Sequence, residues 1–255
     1  MLLTDPPRTQ YDLYFSLFGI PVRVHPMFWL VGAVLGIGNV GDQHFLLFVW
    51  LAVFFVSILV HEMGHALTMR YFGWNPSVTL YAMGGFARYD GGFTANVSSY
   101  QRRGNRGYAQ VLIAAAGPGA GFSLAALVVM VACLLGADVK FRSPLNWEIT
   151  LATYGPWCRA VIHWALYVNI FWGLMNLLPV YPLDGGQISR ELLMKYSARD
   201  GVQHSLWLSV ITGAVLAVYS FRSVPFLAMM FAYLAYSNYQ LLQSYRGAGF
   251  RRHPW

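Results

Sequence analysis

The chain has 255 residues, of which 57% are hydrophobic and 11% charged, and its mean hydropathy is +0.47. A water-facing surface usually draws on about 25% charged residues, so composition excludes an ordinary soluble domain and a disordered chain alike. Two cysteines, Cys133 and Cys158, exclude a disulfide framework and a four-thiolate metal site, which leaves a polytopic membrane protein.

A span needs about 20 apolar residues to cross about 30 Å of hydrocarbon. In chain order the apolar runs predict six. Residues 27–40 are short and glycine-rich, 45–72 contain sixteen uncharged residues from Phe45 to Val60, and the others are 108–135, 160–183, 204–219 and 224–242. The expected fold is an all-α polytopic membrane protein of about six transmembrane helices. Residues 1–26 form an N-terminal cytoplasmic segment, 27–242 the membrane-embedded domain and 243–255 a basic tail. No cleavable signal peptide is expected, because Asp5, two prolines and Arg8 stand where its apolar core would be.

Six spans put both termini on one side, and basic residues say which. Thirteen of the seventeen fall on the terminal side, from Arg8 and Arg23 to Arg251 and Arg252; only Lys140, Arg142, Arg159 and Arg222 fall opposite. The expected placement is a multi-pass protein of the cell membrane with both termini cytoplasmic. The net charge of +7 suits anionic lipid headgroups. Nucleic acid is not an expected partner, since no basic stripe lies within a soluble module.

Eight of the ten acids fit loops or span ends; Glu62, inside the second span, and Asp184, closing the fourth, do not. A carboxylate in hydrocarbon costs about 2.5–3.5 kcal/mol even on a lenient insertion scale, so both are functional candidates. Around Glu62 the chain reads His61-Glu62-Met63-Gly64-His65. On a helix His61 and His65 project from one face, one turn apart, and their ring nitrogens can reach one metal at about 2.0–2.1 Å. Glu62 lies about 100° around the helix, within reach of a water on that metal without being a ligand.

A catalytic zinc site needs a third protein ligand and one open position. Asp184 is the remaining acid at comparable depth, and the assigned topology ends the second and fourth spans at the same face. Its segment, Asn176-Leu177-Leu178-Pro179-Val180-Tyr181-Pro182-Leu183-Asp184-Gly185-Gly186, cannot be an ordinary helix. Broken backbone at membrane depth is tolerated where it is buried in protein or lines a wet cavity.

Together these segments resemble the site-2 protease family of intramembrane zinc metalloproteases. His61-Glu62-x-x-His65 is similar to its first motif, and Asn176-x-x-Pro179 with Leu183-Asp184-Gly185 to its second. The segment from Phe18 to Pro26 looks like the stretch before the family's first span. Met83-Gly84-Gly85-Phe86-Ala87 looks like its glycine-containing hairpin. The likeness covers about residues 15–200. It implies a three-helix catalytic core, a small β-hairpin or re-entrant segment, and one zinc per chain held by His61, His65 and Asp184. It also implies Glu62 as general base, Asn176 as a neutral donor to substrate or oxyanion, and Gly84, Gly85 and Phe86 as a strand edge for unwound substrate. The substrate class implied is a membrane-anchored protein cut within or near its own transmembrane helix. Many members have Asn three residues after a Gly-Pro pair; here Gly121 follows Gly117-Pro118 at that place. No PDZ-like or nucleotide-sensing domain is expected, because the loops are short.

The polar stretch from Arg102 to Arg106 is the candidate border of a water path. The small residues Ala114 to Gly117 and Gly121 provide close helix packing. Two other readings use the same residues: a catalytically silent membrane scaffold, which intact Glu62 argues against, and a secondary transporter, which lacks the inverted repeat such proteins show.

Overall fold

The computed structural model describes residues 6–40, 45–82, 84–89, 106–143, 146–150, 156–197 and 200–248. Met83, His44, the stretch from Arg102 to Asn105, and Arg251, Arg252 and His253 of the tail lie outside them. The described elements are β1 (Leu13–Leu17), β2 (Ile20–Val24), α1 (Pro26–Val40), α2 (Leu46–Tyr71), β3 (Pro76–Tyr81), β4 (Gly84–Tyr89) and α3 (Arg106–Leu134). There follow β5 (Asp138–Ser143), β6 (Asn146–Thr150), α4 (Pro156–Asn176), α5 (Asp184–Tyr196), α6 (Gly201–Ser220) and α7 (Pro225–Ala248). They fall into two compact units, residues 1–103 with 116–173, and residues 104–115 with 174–255.

Every expected span is helical, but only α2, the Tyr108–Leu134 part of α3 and α6 are long and apolar enough to cross a membrane, among the described residues. α1 is apolar but shorter, whereas α4 and α7 carry polar side chains spent on protein contacts. In α4, Asn169 bonds Ser57; in α7, Asn238 bonds the Tyr181 carbonyl. The fourth helix also stops at Asn176 rather than at Leu183. Asp184 therefore opens a separate helix instead of closing a span.

The fold is mostly helical rather than all-α. Beyond the one hairpin expected, the first unit holds a mixed four-stranded sheet in the order β1-β2-β3-β4, with β2 and β3 parallel and the outer pairs antiparallel. A second hairpin pairs β5 with β6. Alternation explains β2: Ile20, Val22 and Val24 face inward, directly beside Val78 and Leu80 of β3. This pattern is only five residues long and abuts a span, so it is lost in the surrounding apolar sequence.

Helix α1 packs beside the N-terminal half of α2, with Phe28 stacked on Phe54, Gly32 at Leu51 and Phe54, and Gly36 at Trp50 and Leu47. The sheet takes the other half. Gly85 of β4 lies against Glu62 and Arg70 in the last turn of α2 donates to the Phe18 carbonyl at the β1–β2 turn, while the Phe15 ring reaches back to Phe55 in the first half. Ahead of β1, Asp12 is matched by Arg23 at 2.7 Å and by Thr9 Oγ1 at 2.6 Å. Burial acts to raise its pKa, but hydrogen bonds from Thr9 and the Arg23 guanidinium outweigh it and hold the carboxyl at about 2.

In the second unit, Val180 sits in a core with Phe231 and Leu234. The non-helical stretch before α5 is satisfied by side chains from two apolar helices. Ser209 Oγ accepts from the Tyr181 N–H at 3.0 Å, and Asn238 Nδ2 donates to the Tyr181 carbonyl at 2.6 Å.

Candidate metal centre

The first half of the site is one turn of α2. His61, Glu62 and His65 are all buried, at 3%, 4% and 7% exposure. The two imidazoles face each other with their Nε2 atoms 3.2 Å apart. Two nitrogens bound at 2.0–2.1 Å to one tetrahedral ion stand about 3.3–3.4 Å apart, so the pair is already set for a zinc. The donor set, two neutral imidazoles on a buried helix face, suits that ion.

Three glycines let backbone approach this turn. Gly64 lies against α3, where a methyl group would meet the Ala116 carbonyl and the Ala120 side chain. Gly117 of α3 lies against the His65 ring; a methyl group there would stand 2.8 Å from Cδ2 and closer still to Cε1 and Nε2. Gly85 of β4 lies over Glu62, where a methyl group would be 2.5 Å from Cγ and 2.8 Å from Oε1. The expected small-residue face of α3 is thus a packing surface that also walls His65.

The hairpin expected after α2 is β3–β4. Its glycines, Gly84 and Gly85, stand at the start of β4, where Gly84 pairs with Tyr81 across the turn. β4 ends the sheet order, so its outer edge is free among the described residues. Gly84 is packed on the Trp172 ring of α4, and Phe86 carries the Arg88 guanidinium 4.6 Å from its ring centroid.

Asn176 and Asp184 belong to the second unit. Asn176 is half-buried at the last position of α4. Asp184 is 7% exposed at the first position of α5, where the helix dipole favours a carboxylate. Gly185 and Gly186 bring that turn against the Leu177 carbonyl and the Tyr181 backbone, closer than any side chain would permit. The paired glycines after Asp184 therefore serve close approach, which holds the carboxylate against a folded-back loop.

Sequence reasoning missed four supporting residues: Ser209 and Asn238, which satisfy that loop, and Ser57 and Asn169, which join α2 to α4 at 2.9 Å. Their signal was present as lone polar residues inside apolar runs. His25 Nδ1 accepts the Met27 N–H at the start of α1. Cys133 and Cys158 are exposed.

The pattern of peptidase family M50 matches residues 49–220. A zinc metalloprotease of Methanocaldococcus jannaschii is 26% identical over 186 residues, covering 71% of this chain and 45% of that protein. The chain thus spans less than half the length of the curated relatives it matches. The solved site-2 protease from Methanocaldococcus jannaschii shares the fold with a TM-score of 0.55, at 22% identity over 91% of this chain and 95% of that one.

Proposed function

The chain belongs to peptidase family M50, and from that premise we propose that it is an intramembrane zinc endopeptidase cutting a membrane-anchored protein within or near its transmembrane segment. The observation that carries this reading is the His61–His65 pair, buried in a membrane-type helix with its Nε2 atoms at the spacing of two ligands on one ion.

In this reading Asp184 is the third ligand. The buried acids among the described residues are Asp12, Glu62 and Asp184. Asp12 is already matched by Arg23, and Glu62 lies around the helix from the histidine face. Each of His61, His65 and Asp184 offers one ligand atom from a buried position. A bound zinc supplies Lewis acidity toward a carbonyl and lowers the pKa of water from 15.7 to about 7. Glu62 then takes the proton from the attacking water and returns it to the leaving amine. Asn176 donates from its amide toward the developing oxyanion.

A helical substrate hides its peptide bonds, so it must unwind before hydrolysis. Strand addition to the free edge of β4 stabilises the unwound form, with Gly84, Gly85 and Phe86 as the pairing residues. An added strand lies about 4.8 Å from β4. Gly85 already touches Glu62, so the added peptide falls beside the base. The sheet flanks the half of α2 that carries His61 and His65, which supports a substrate strand at the depth of that helix. Basic-residue asymmetry supports a reading with both termini and the site toward the cytoplasm.

Purified protein in detergent with a membrane-spanning peptide provides the test. Wild type is expected to hold one zinc per chain and cleave; Glu62→Gln is expected to hold the zinc and lose cleavage. A wild-type chain without zinc, or a Glu62→Gln chain that cleaves normally, overturns the proposal.

A further inference from the structure

Tyr181 lies three residues before Asp184, in the non-helical stretch that leads into α5, and α5, α6 and α7 of the second unit all meet at it. Its backbone N–H donates to Ser209 Oγ of α6 at 3.0 Å, and its carbonyl accepts from Asn238 Nδ2 of α7 at 2.6 Å. Both partners are buried, Ser209 at 0% and Asn238 at 2% exposure. The Ser209 hydroxyl gives its hydrogen to the Ser205 carbonyl at 2.9 Å, so toward Tyr181 it can only accept. The Asn238 amide gives its other hydrogen to the Leu234 carbonyl at 2.8 Å, so the amide cannot be turned over without losing both bonds. Buried polar groups in apolar helices are costly unless bonded, and these two are bonded to one residue of the loop.

On its other side Tyr181 is tied to α5. A methyl group on Gly186 would collide with the Tyr181 nitrogen, so the first turn of the helix is seated directly on this backbone. The Arg190 guanidinium, one turn further along, stands 5.6 Å from the centre of the Tyr181 ring, within cation–π range. The Leu183 N–H donates to the Val180 carbonyl at 2.8 Å, and Gln187 Nε2 to the Pro182 carbonyl at 3.1 Å. The stretch and the first turn of α5 are thus one hydrogen-bonded piece that includes Asp184, and Ser209 and Asn238 attach that piece to α6 and α7. Asn238 lies beyond the residues that the M50 pattern matches, so part of this attachment comes from a helix outside that pattern.

We propose that Ser209 and Asn238 are positioning residues for Asp184, setting the place of its carboxylate through the Tyr181 backbone. The inference rests on the reading of Asp184 as the third zinc ligand. Metal–ligand distances hold to within about 0.2 Å, so a loop fixed at both the N–H and the carbonyl of one residue is what such a ligand needs behind it. In this role the two side chains contact neither metal nor substrate; they act through the loop.

Four variants of the full chain in detergent test the proposal. Asn238→Leu keeps the volume and removes the donor to Tyr181, and Ser209→Ala removes the acceptor. Ser205→Ala is the matched control. It deletes another buried hydroxyl one turn earlier on α6, which bonds the Val202 carbonyl and not the loop, and it keeps the Ser205 carbonyl that Ser209 uses. Asp184→Ala removes the ligand itself. Zinc affinity is read by chelator competition, and ligand geometry by the visible absorption bands of the cobalt-substituted protein. Asn238→Leu and Ser209→Ala are each expected to weaken zinc binding about tenfold, the lower end for groups that orient a ligand from outside the coordination shell, and to shift the cobalt bands. Ser205→Ala is expected to match wild type in both. A merely structural role would lower the melting temperature while leaving affinity and bands of the folded protein unmoved, and that result overturns the proposal. So does a Ser205→Ala chain as weak as Ser209→Ala. Should Asn238→Leu not fold, the two serine variants decide. A wild-type chain that takes up no zinc, or an Asp184→Ala chain with wild-type zinc affinity, fails the parent reading instead, a distinct result.

Discussion

Gly117→Ala is the smallest change that should empty the metal centre. The added methyl group would lie 2.8 Å from His65 Cδ2 and nearer to Cε1 and Nε2, whereas ordinary contact begins at 3.4 Å. The ring must therefore recede by at least about 0.6 Å even at its most distant touching atom, while ligand bonds tolerate about 0.2 Å. His65 cannot retreat freely, because its own helix is fixed at the next contact, Gly64 against the Ala116 carbonyl. A ligand displaced by this much is expected to lower zinc occupancy well below one per chain at micromolar free zinc and to abolish cleavage. Gly119→Ala is the matched control: it makes the same change two residues along α3, with nothing within 4 Å of the new methyl group. It should keep metal and activity, with helix propensity improved by about 1 kcal/mol. Metal analysis of the two detergent-purified variants, alongside peptide cleavage, is the assay. Full zinc and normal cleavage in Gly117→Ala would refute the reasoning.

Gly85→Ala presses on Glu62 rather than on a ligand, and should keep zinc while lowering cleavage by at least tenfold; equal loss of both would mean the strand positions the metal instead. Breaking the Asp12–Arg23 pair by Asp12→Asn leaves Arg23 without its charge partner, a change that costs about 3–5 kcal/mol where such pairs are buried. Earlier proteolysis of the segment before β1, with zinc content unchanged, is the expected result, and unaltered protease resistance would count against it. A substrate peptide N-methylated on the amides that pair with β4 should resist cleavage while its unmodified form is cut; equal cleavage would remove strand addition from the mechanism.

The candidate metal-binding turn could be picked out in the sequence because its chemistry is local. Two histidines four apart with an adjacent glutamate define a helix face whatever surrounds them, and the cost of Glu62 in an apolar run marks it as functional. Asp184 stood out in the sequence for the same energetic reason, and Pro179 and Pro182 marked the broken backbone before it; that a separate helix, α5, opens at Asp184 did not show in the sequence. The sheet was hidden for a different reason. Its inward residues, Ile20, Val22, Val24, Val78 and Leu80, are as apolar as any span, so only strand pairing distinguishes them, and pairing is a long-range property. Gly121 illustrates the limit most plainly. Its lack of an amide was visible in sequence, but that Asn169 presents one against it from α4 is visible only in three dimensions.

Sheet and broken loop meet the same physical problem differently. Backbone outside a helix at membrane depth carries unsatisfied N–H and C=O groups, which lipid cannot pair. In the loop before Asp184 the protein supplies partners through Ser209 and Asn238, which bond the N–H and the carbonyl of Tyr181. Among the described residues β4 ends the sheet order, so no further strand pairs its outer edge. An unwound substrate has the complementary deficit, since its own helical hydrogen bonds have been given up. Pairing the two satisfies both sets at once, so the edge left open beside Glu62 favours binding of the extended chain over the helical one. The selectivity of the proposed enzyme would then rest on how readily a transmembrane segment yields its helix, more than on the identity of any one side chain.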